Sequence, residues 1–143
     1  MHPYAEYREP MSPESLESLA AGFIDKESFQ HIHATKTIVT HDTIIHYNNG
    51  ILAITRKTAP LEGMLWCMGG KINRGVPLLD SLAEKARSEC GLAIKNLQFI
   101  SVDRFFMADD PFGHGKGSDT FNVIYHAHGE GSPELDHLHT APL

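Results

Sequence analysis

Cysteine is scarce in this chain: Cys67 and Cys90 are the only two among 143 residues, and they lie in unrelated segments. They can build neither a disulfide framework nor a CxxC metal knuckle, so a reduced, cytoplasmic setting is expected. Long apolar runs are missing as well. No stretch approaches the roughly 20 residues that cross a bilayer, and Met1-His2-Pro3-Tyr4-Ala5-Glu6 lacks the basic start and apolar core of a secretory leader. No membrane partner is expected. Basic residues are outnumbered, 12 against 18 acidic, for a formal charge of −6. That balance argues against a nucleic-acid partner, which calls for a positive surface facing phosphates. Internal repeats and low-complexity tracts are absent too.

What is present is ordinary globular usage, 41% hydrophobic and 21% charged, in a chain long enough for one domain that buries about 68–70% of its unfolded surface. Ten histidines are the exception. Histidine is the commonest metal ligand and titrates nearest neutrality, although most surface histidines do neither job.

Residues 1–22 read as an arm with a short helix, and 23–143 as the domain proper. Ser12-Pro13 opens the first helix, with Ser12 as cap and Pro13 at the first helical position. Asp25 caps a second helix through His31, with Phe29 and Ile32 turned inward. The β-branched run from Thr37 to Ile45 predicts a strand, Asn48-Asn49-Gly50 a hairpin turn, and Ile51–Ile54 its partner strand. Met64–Met68 predicts an apolar strand ending at Gly69-Gly70. A helix follows Pro77, with Leu79, Leu82, Ala83, Ala86 and Cys90 on its apolar face and Gly91 as its stop. Two further strands, Leu97–Val102 and Phe121–Tyr125, flank a Gly/Asp loop at 108–119. Strands around one good helix predict a mixed α/β sandwich.

The strand–Gly-Gly–loop–helix unit carries the chemistry. A diglycine after a strand lets the backbone approach a ligand closely, and Lys71 and Arg74 beside it suit phosphate. Glu89 falls at the edge of the helix's apolar face, where its carboxylate can reach a neighbouring loop. A carboxylate with a backbone carbonyl is a hard-oxygen set suited to Mg²⁺.

The spacing resembles the Nudix box, a loop–helix–loop signature that opens and closes on glycine and carries an Arg-Glu pair followed by a Glu-Glu pair. Gly70 and Gly91 fit its ends and Glu89 its last glutamate; Val76, Glu84, Lys85 and Ser88 depart from it. The chain is most similar to the GDP-mannose mannosyl hydrolases, which also keep a single glutamate in this helix, and the likeness runs from Phe23 to about His137. The resemblance implies a Nudix-type α/β/α sandwich with a mixed sheet and shortened C-terminal elements. It implies a homodimer acting on a small-molecule nucleotide sugar: Mg²⁺-dependent hydrolysis of GDP-mannose or GDP-glucose to GDP and free sugar, with water attacking the anomeric carbon. By the same resemblance Asp42 faces the guanine end, Arg56 neutralises the diphosphate, and Lys71 stands where the family has a phosphate-contacting arginine. The Gly69 carbonyl, Glu89 and Asp136 hold Mg²⁺, and His137 is the general base.

Three other readings stay open. An atypical Nudix pyrophosphatase acting on a nucleoside diphosphate derivative needs another carboxylate near the metal, from Asp109, Asp110, Asp136 or Glu134. A non-catalytic nucleotide-binding module accounts for Val76, Lys85 and Glu84. A histidine-built transition-metal site draws on His126-Ala127-His128 and His137-Leu138-His139, whose spacing puts each pair on one strand face.

Overall fold

A computed structural model describes residues 4–7, 13–20, 22–134 and 139–140; Ser12, Asp136 and His137 lie outside the described residues. The order of elements is α1 (Pro13–Ser18), α2 (Lys26–Thr35), β1 (Ile38–Tyr47), β2 (Gly50–Leu52), β3 (Ile54–Arg56), β4 (Leu65–Trp66), β5 (Met68–Lys71), α3 (Leu78–Cys90), β6 (Ala93–Met107), β7 (Ser118–Glu130) and β8 (His139–Thr140). No described helix is long and apolar enough to cross a membrane.

The main sheet is mixed. β7 runs parallel to β1 and antiparallel to β6, while the other edge of β1 pairs antiparallel with β2 and, further along, with β5. A second sheet holds β4, β3 and β8. The Asn48-Asn49 turn takes positive φ at both residues (47° and 64°), the geometry that suits the twist of a two-residue hairpin. Only β2 belongs to that hairpin; the run predicted as one strand divides, and Ile54–Arg56 crosses to the second sheet. Met64–Met68 divides likewise at Cys67, and β5 continues through the diglycine instead of stopping before it. Both changes arise because two sheets compete for one apolar run, which local pattern does not reveal.

The helix α3 covers one face of the main sheet. Leu78, Leu82, Val123 and Tyr125 form one core cluster; Ala86, Cys90, Ile45, Leu52, Ile54, Met68 and Leu92 form another. The buried stripe of α3 starts at Leu78, not Leu79, which is 44% exposed. The two leucines differ by about 100° around the axis, and the sheet selects the face. Gly91 ends the helix in the left-handed conformation (φ 73°), where its N–H reaches the Arg87 carbonyl. The start is capped from far away. Pro77 offers no side-chain cap, and the Glu6 carboxylate accepts from the Leu78 N–H at 2.7 Å. A residue of the arm thus supplies a stabilising negative charge at the positive end of the helix. On α2, Asp25 caps as predicted, accepting from the Ser28 N–H at 2.9 Å. Phe29 is half-buried, but Ile32 is exposed, contrary to expectation.

Candidate functional site

Between the face of β1 opposite α3 and the second sheet lies a cleft of about 380 Å³. Its position follows from the alternation of β1. His41, Thr43 and Ile45 are buried, and His41 Nε2 meets Ser81 Oγ of α3 at 2.7 Å. The alternate residues Thr40 and Asp42 therefore face the cleft.

Asp42 lines the cleft from β1. Its Oδ2 accepts from Asn122 Nδ2 at 2.7 Å and from Trp66 Nε1 at 3.2 Å, and Thr40 donates to Asn122 Oδ1 at 2.8 Å. Oδ1 takes no hydrogen bond from any described residue. Burial pushes the Asp42 carboxyl up to about 6; the Asn122 and Trp66 bonds and the positive charge of Arg56 oppose that rise. Phe105 packs edge-on against Trp66, with centroids 5.9 Å apart, and both rings line the cleft. Burial, and then the charge of Asp42, raises the neighbouring Cys67 thiol to about 12, so it stays protonated.

Glu89 lines the cleft from the last turn of α3. It is buried, and its Oε2 accepts from the Gly69 N–H at 3.2 Å, so the carboxylate does reach the diglycine strand. Its Oε1 lies 3.8 Å from Lys85 Nζ, one helical turn earlier. The ammonium sits beside the diglycine: a Cβ added to Gly70 would lie 3.3 Å from it. Lys71 lies over the Phe29 ring, 4.1 Å from its centroid. Burial and the charge of Lys85 lower its pKa. Arg56 completes the cationic side, its Nε donating to the Pro60 carbonyl at 2.7 Å.

Gly69 lies between the two carboxylates. It pairs with Asp42 across β1 and β5, and a Cβ there would collide with Asp42 Oδ1 and the His41 carbonyl. Only glycine allows the two strands to approach this closely.

The loop after β6 walls the cleft. Asp110, buried at its base, accepts from the backbone N–H groups of Phe112, His114 and Gly115. Those bonds outweigh its burial and hold its pKa below the usual carboxylate value. The loop is tied to α2 by His33 Nδ1 and His114 Nε2, 2.8 Å apart, and by Phe112 against Phe29.

The structure therefore gathers Asp42, Arg56, Lys71, Gly69 and Glu89 in one cleft. Arg74 does not join them; its Nε donates to the Leu19 carbonyl at the end of α1. Asp110 accepts from its own loop and Asp109 from the Asp110 N–H, and neither of these candidates of the pyrophosphatase reading lines the cleft. His126 and His128 do share a strand face, with His46 beside them. Their rings pack against one another, and no three metal-capable side chains converge among the described residues. Trp66, Asn122 and Lys85 belong to the site without having been singled out for it. Asn122 left a trace in the sequence, an amide inside the apolar run Phe121–Tyr125.

The described donors do not by themselves suit Mg²⁺. The buried carboxylate already accepts from a backbone N–H and faces an ammonium, where a divalent ion needs open oxygens.

No known family profile and no curated protein matches the sequence. Solved structures do. The MutT Nudix hydrolase of Burkholderia pseudomallei superposes with a TM-score of 0.65 at 24% identity, over 75% of this chain and 81% of that one. The MutT protein of Methanosarcina mazei gives 0.61 at 16%, over 76% and 77%. The Nudix domain of Shewanella oneidensis NrtR, solved with ADP ribose, gives 0.61 at 13%, over 93% of this chain and 82% of that one. The mixed sheet, the diglycine strand and the helix carrying Glu89 are arranged in the fold of the Nudix hydrolases.

Proposed function

We propose that this cleft binds a guanine nucleoside diphosphate sugar and hydrolyses it to GDP and free sugar, with water attacking the anomeric carbon. The observation that carries the reading is a carboxylate held by neutral donors in the same cleft as three cations. Asp42, held by neutral donors, offers a carboxylate to the N–H groups of a guanine edge. Arg56, Lys71 and Lys85 line the same cleft and suit a diphosphate. Attack at phosphorus in this fold relies on a clustered carboxylate–metal site, whereas attack at carbon needs charge neutralisation on the departing GDP. Fixed cations supply that. His137 remains the proposed base, since an imidazole near neutral pKa suits removal of the water proton. No step depends on the Gly69–Glu89–Asp136 set holding Mg²⁺. GDP-mannose and GDP-glucose are the substrates of choice.

The pairing of Lys85 with Glu89 favours one second reading, a module that binds the nucleotide without hydrolysing it. Incubation with GDP-mannose, GDP-glucose and ADP-ribose in ¹⁸O-water, with and without Mg²⁺, separates the outcomes. Label on the free sugar alongside intact GDP is the expected result. Label on phosphate, with GMP and a sugar phosphate, contradicts it. Binding of all three without turnover replaces it with the second reading.

A further inference from the structure

Among the described residues, the charged side chains lining the cleft, apart from His33, are Arg56, Lys71 and Lys85 against Asp42 and Glu89, three cations to two carboxylates. This small positive surplus stands inside a chain whose formal charge is −6. The surplus is created on α3. Glu84 and Ser88, at two neighbouring positions of the same helix, are exposed, and Ser88 Oγ donates to the Lys85 carbonyl. The carboxylate that α3 buries in the cleft, Glu89, has Lys85 Nζ as its ionic neighbour at 3.8 Å. With Gly70 beside that ammonium and Lys71 close enough to feel its charge, cations gather where the diglycine strand opens onto the cleft.

Resting on the reading that the cleft holds a nucleoside diphosphate, we propose that the Lys85 ammonium does the work of a metal ion here, so that the diphosphate binds without any divalent cation. A lysine carries one positive charge and three donors on a flexible stem, enough to contact the oxygens of two phosphoryl groups together with Lys71 and Arg56. Glu89 orients it: the carboxylate is fixed by the Gly69 N–H and holds the ammonium at the mouth of the cleft. A divalent ion entering the same place would meet the ammonium's like charge, and its only described carboxylate ligand would already be shared.

Calorimetric titration of inorganic pyrophosphate and of GDP, each in EDTA and in excess Mg²⁺, tests this. Wild-type protein is expected to bind both in EDTA, with affinities within about threefold of those in Mg²⁺. Lys85→Ala is expected to lose about ten- to hundredfold in EDTA, the scale of a lost charged hydrogen bond. Lys85→Glu, which returns a carboxylate to the helix, is expected to bind GDP only when Mg²⁺ is present. Wild-type binding that requires Mg²⁺ overturns the proposal while leaving the nucleotide reading standing. Unchanged binding by Lys85→Ala in EDTA overturns it as well. Failure of GDP to bind under either condition overturns both. Thermal melting of each variant separates lost binding from lost folding.

Discussion

The two described carboxylates of the cleft are both buried, yet they live in different surroundings. Asp42 is met by an amide and an indole, neutral donors that soften but do not cancel the cost of burying its charge, and its pKa stands near 6. Glu89 is met by a backbone N–H and an ammonium. A buried carboxylate with neutral donors keeps acceptor capacity for a ligand and gains or loses a proton in an accessible pH range. One beside a cation is a counter-ion, whose task is to hold that cation in place. The first suits recognition of a base, the second the positioning of charge against phosphates.

Gly69 lies between these carboxylates, and altering it should have the largest effect. Gly69→Ala would force β1 and β5 apart, costing about 3 kcal/mol by the scale of overpacked cores. Urea unfolding measures this, and a wild-type midpoint would show that the strands can part cheaply.

Asp42 gives the next effect, through pH. Its folded pKa is raised from 3.8 to about 6, so the folded state binds the proton more tightly than the unfolded chain does. Its contribution therefore favours folding below about 4 and is lost as pH rises through 6, by up to about 3 kcal/mol. His41 acts the opposite way. Burial, then Lys85, lowers its pKa from 6.5 to about 4, so its contribution is present above 6.5 and lost as pH falls through 4. Comparing wild type with Asp42→Asn across pH 4–8 cancels His41 and isolates Asp42. The variant should gain stability relative to wild type as pH rises, and a difference independent of pH would contradict this account of Asp42.

Trp66→Phe removes one donor to Asp42 and keeps the ring against Phe105, for a loss of about 1 kcal/mol. Urea unfolding at pH 7 checks it. The smallest effect on folding belongs to Lys85→Ala. Its ion pair is one-third exposed on the lysine side and should contribute less than about 1 kcal/mol. A residue that matters little to folding and much to ligand is what the counter-ion description requires.

Much of this was legible beforehand, for local reasons. The Asn48-Asn49 turn, the Asp25 cap and the Gly91 stop are conformational preferences that residues carry with them. Asp42, Arg56, Lys71 and Glu89 were placed by resemblance, and they do share a cleft. What escaped depends on partners distant in sequence. Asn122 meets Asp42 across eighty positions, and Glu6 caps α3 across seventy-two. The choice of Leu78 over Leu79 as a core residue, and the break at Cys67, were made by sheets that a helical or apolar pattern cannot anticipate. Lys85 was visible as a departure from the glutamate pattern; its approach to Glu89 gives that departure a physical role.

The most direct test of the division of roles between Asp42 and Lys85 is a comparison of GDP with guanosine, measured by calorimetry for wild type, Asp42→Asn and Lys85→Ala at pH 7. Asp42→Asn is expected to weaken both ligands by about the same factor, since both present the same base. Lys85→Ala is predicted to weaken GDP alone and leave guanosine within twofold, a difference of about 0.4 kcal/mol. Equal weakening of guanosine by Lys85→Ala, or full guanosine affinity in Asp42→Asn, would contradict it.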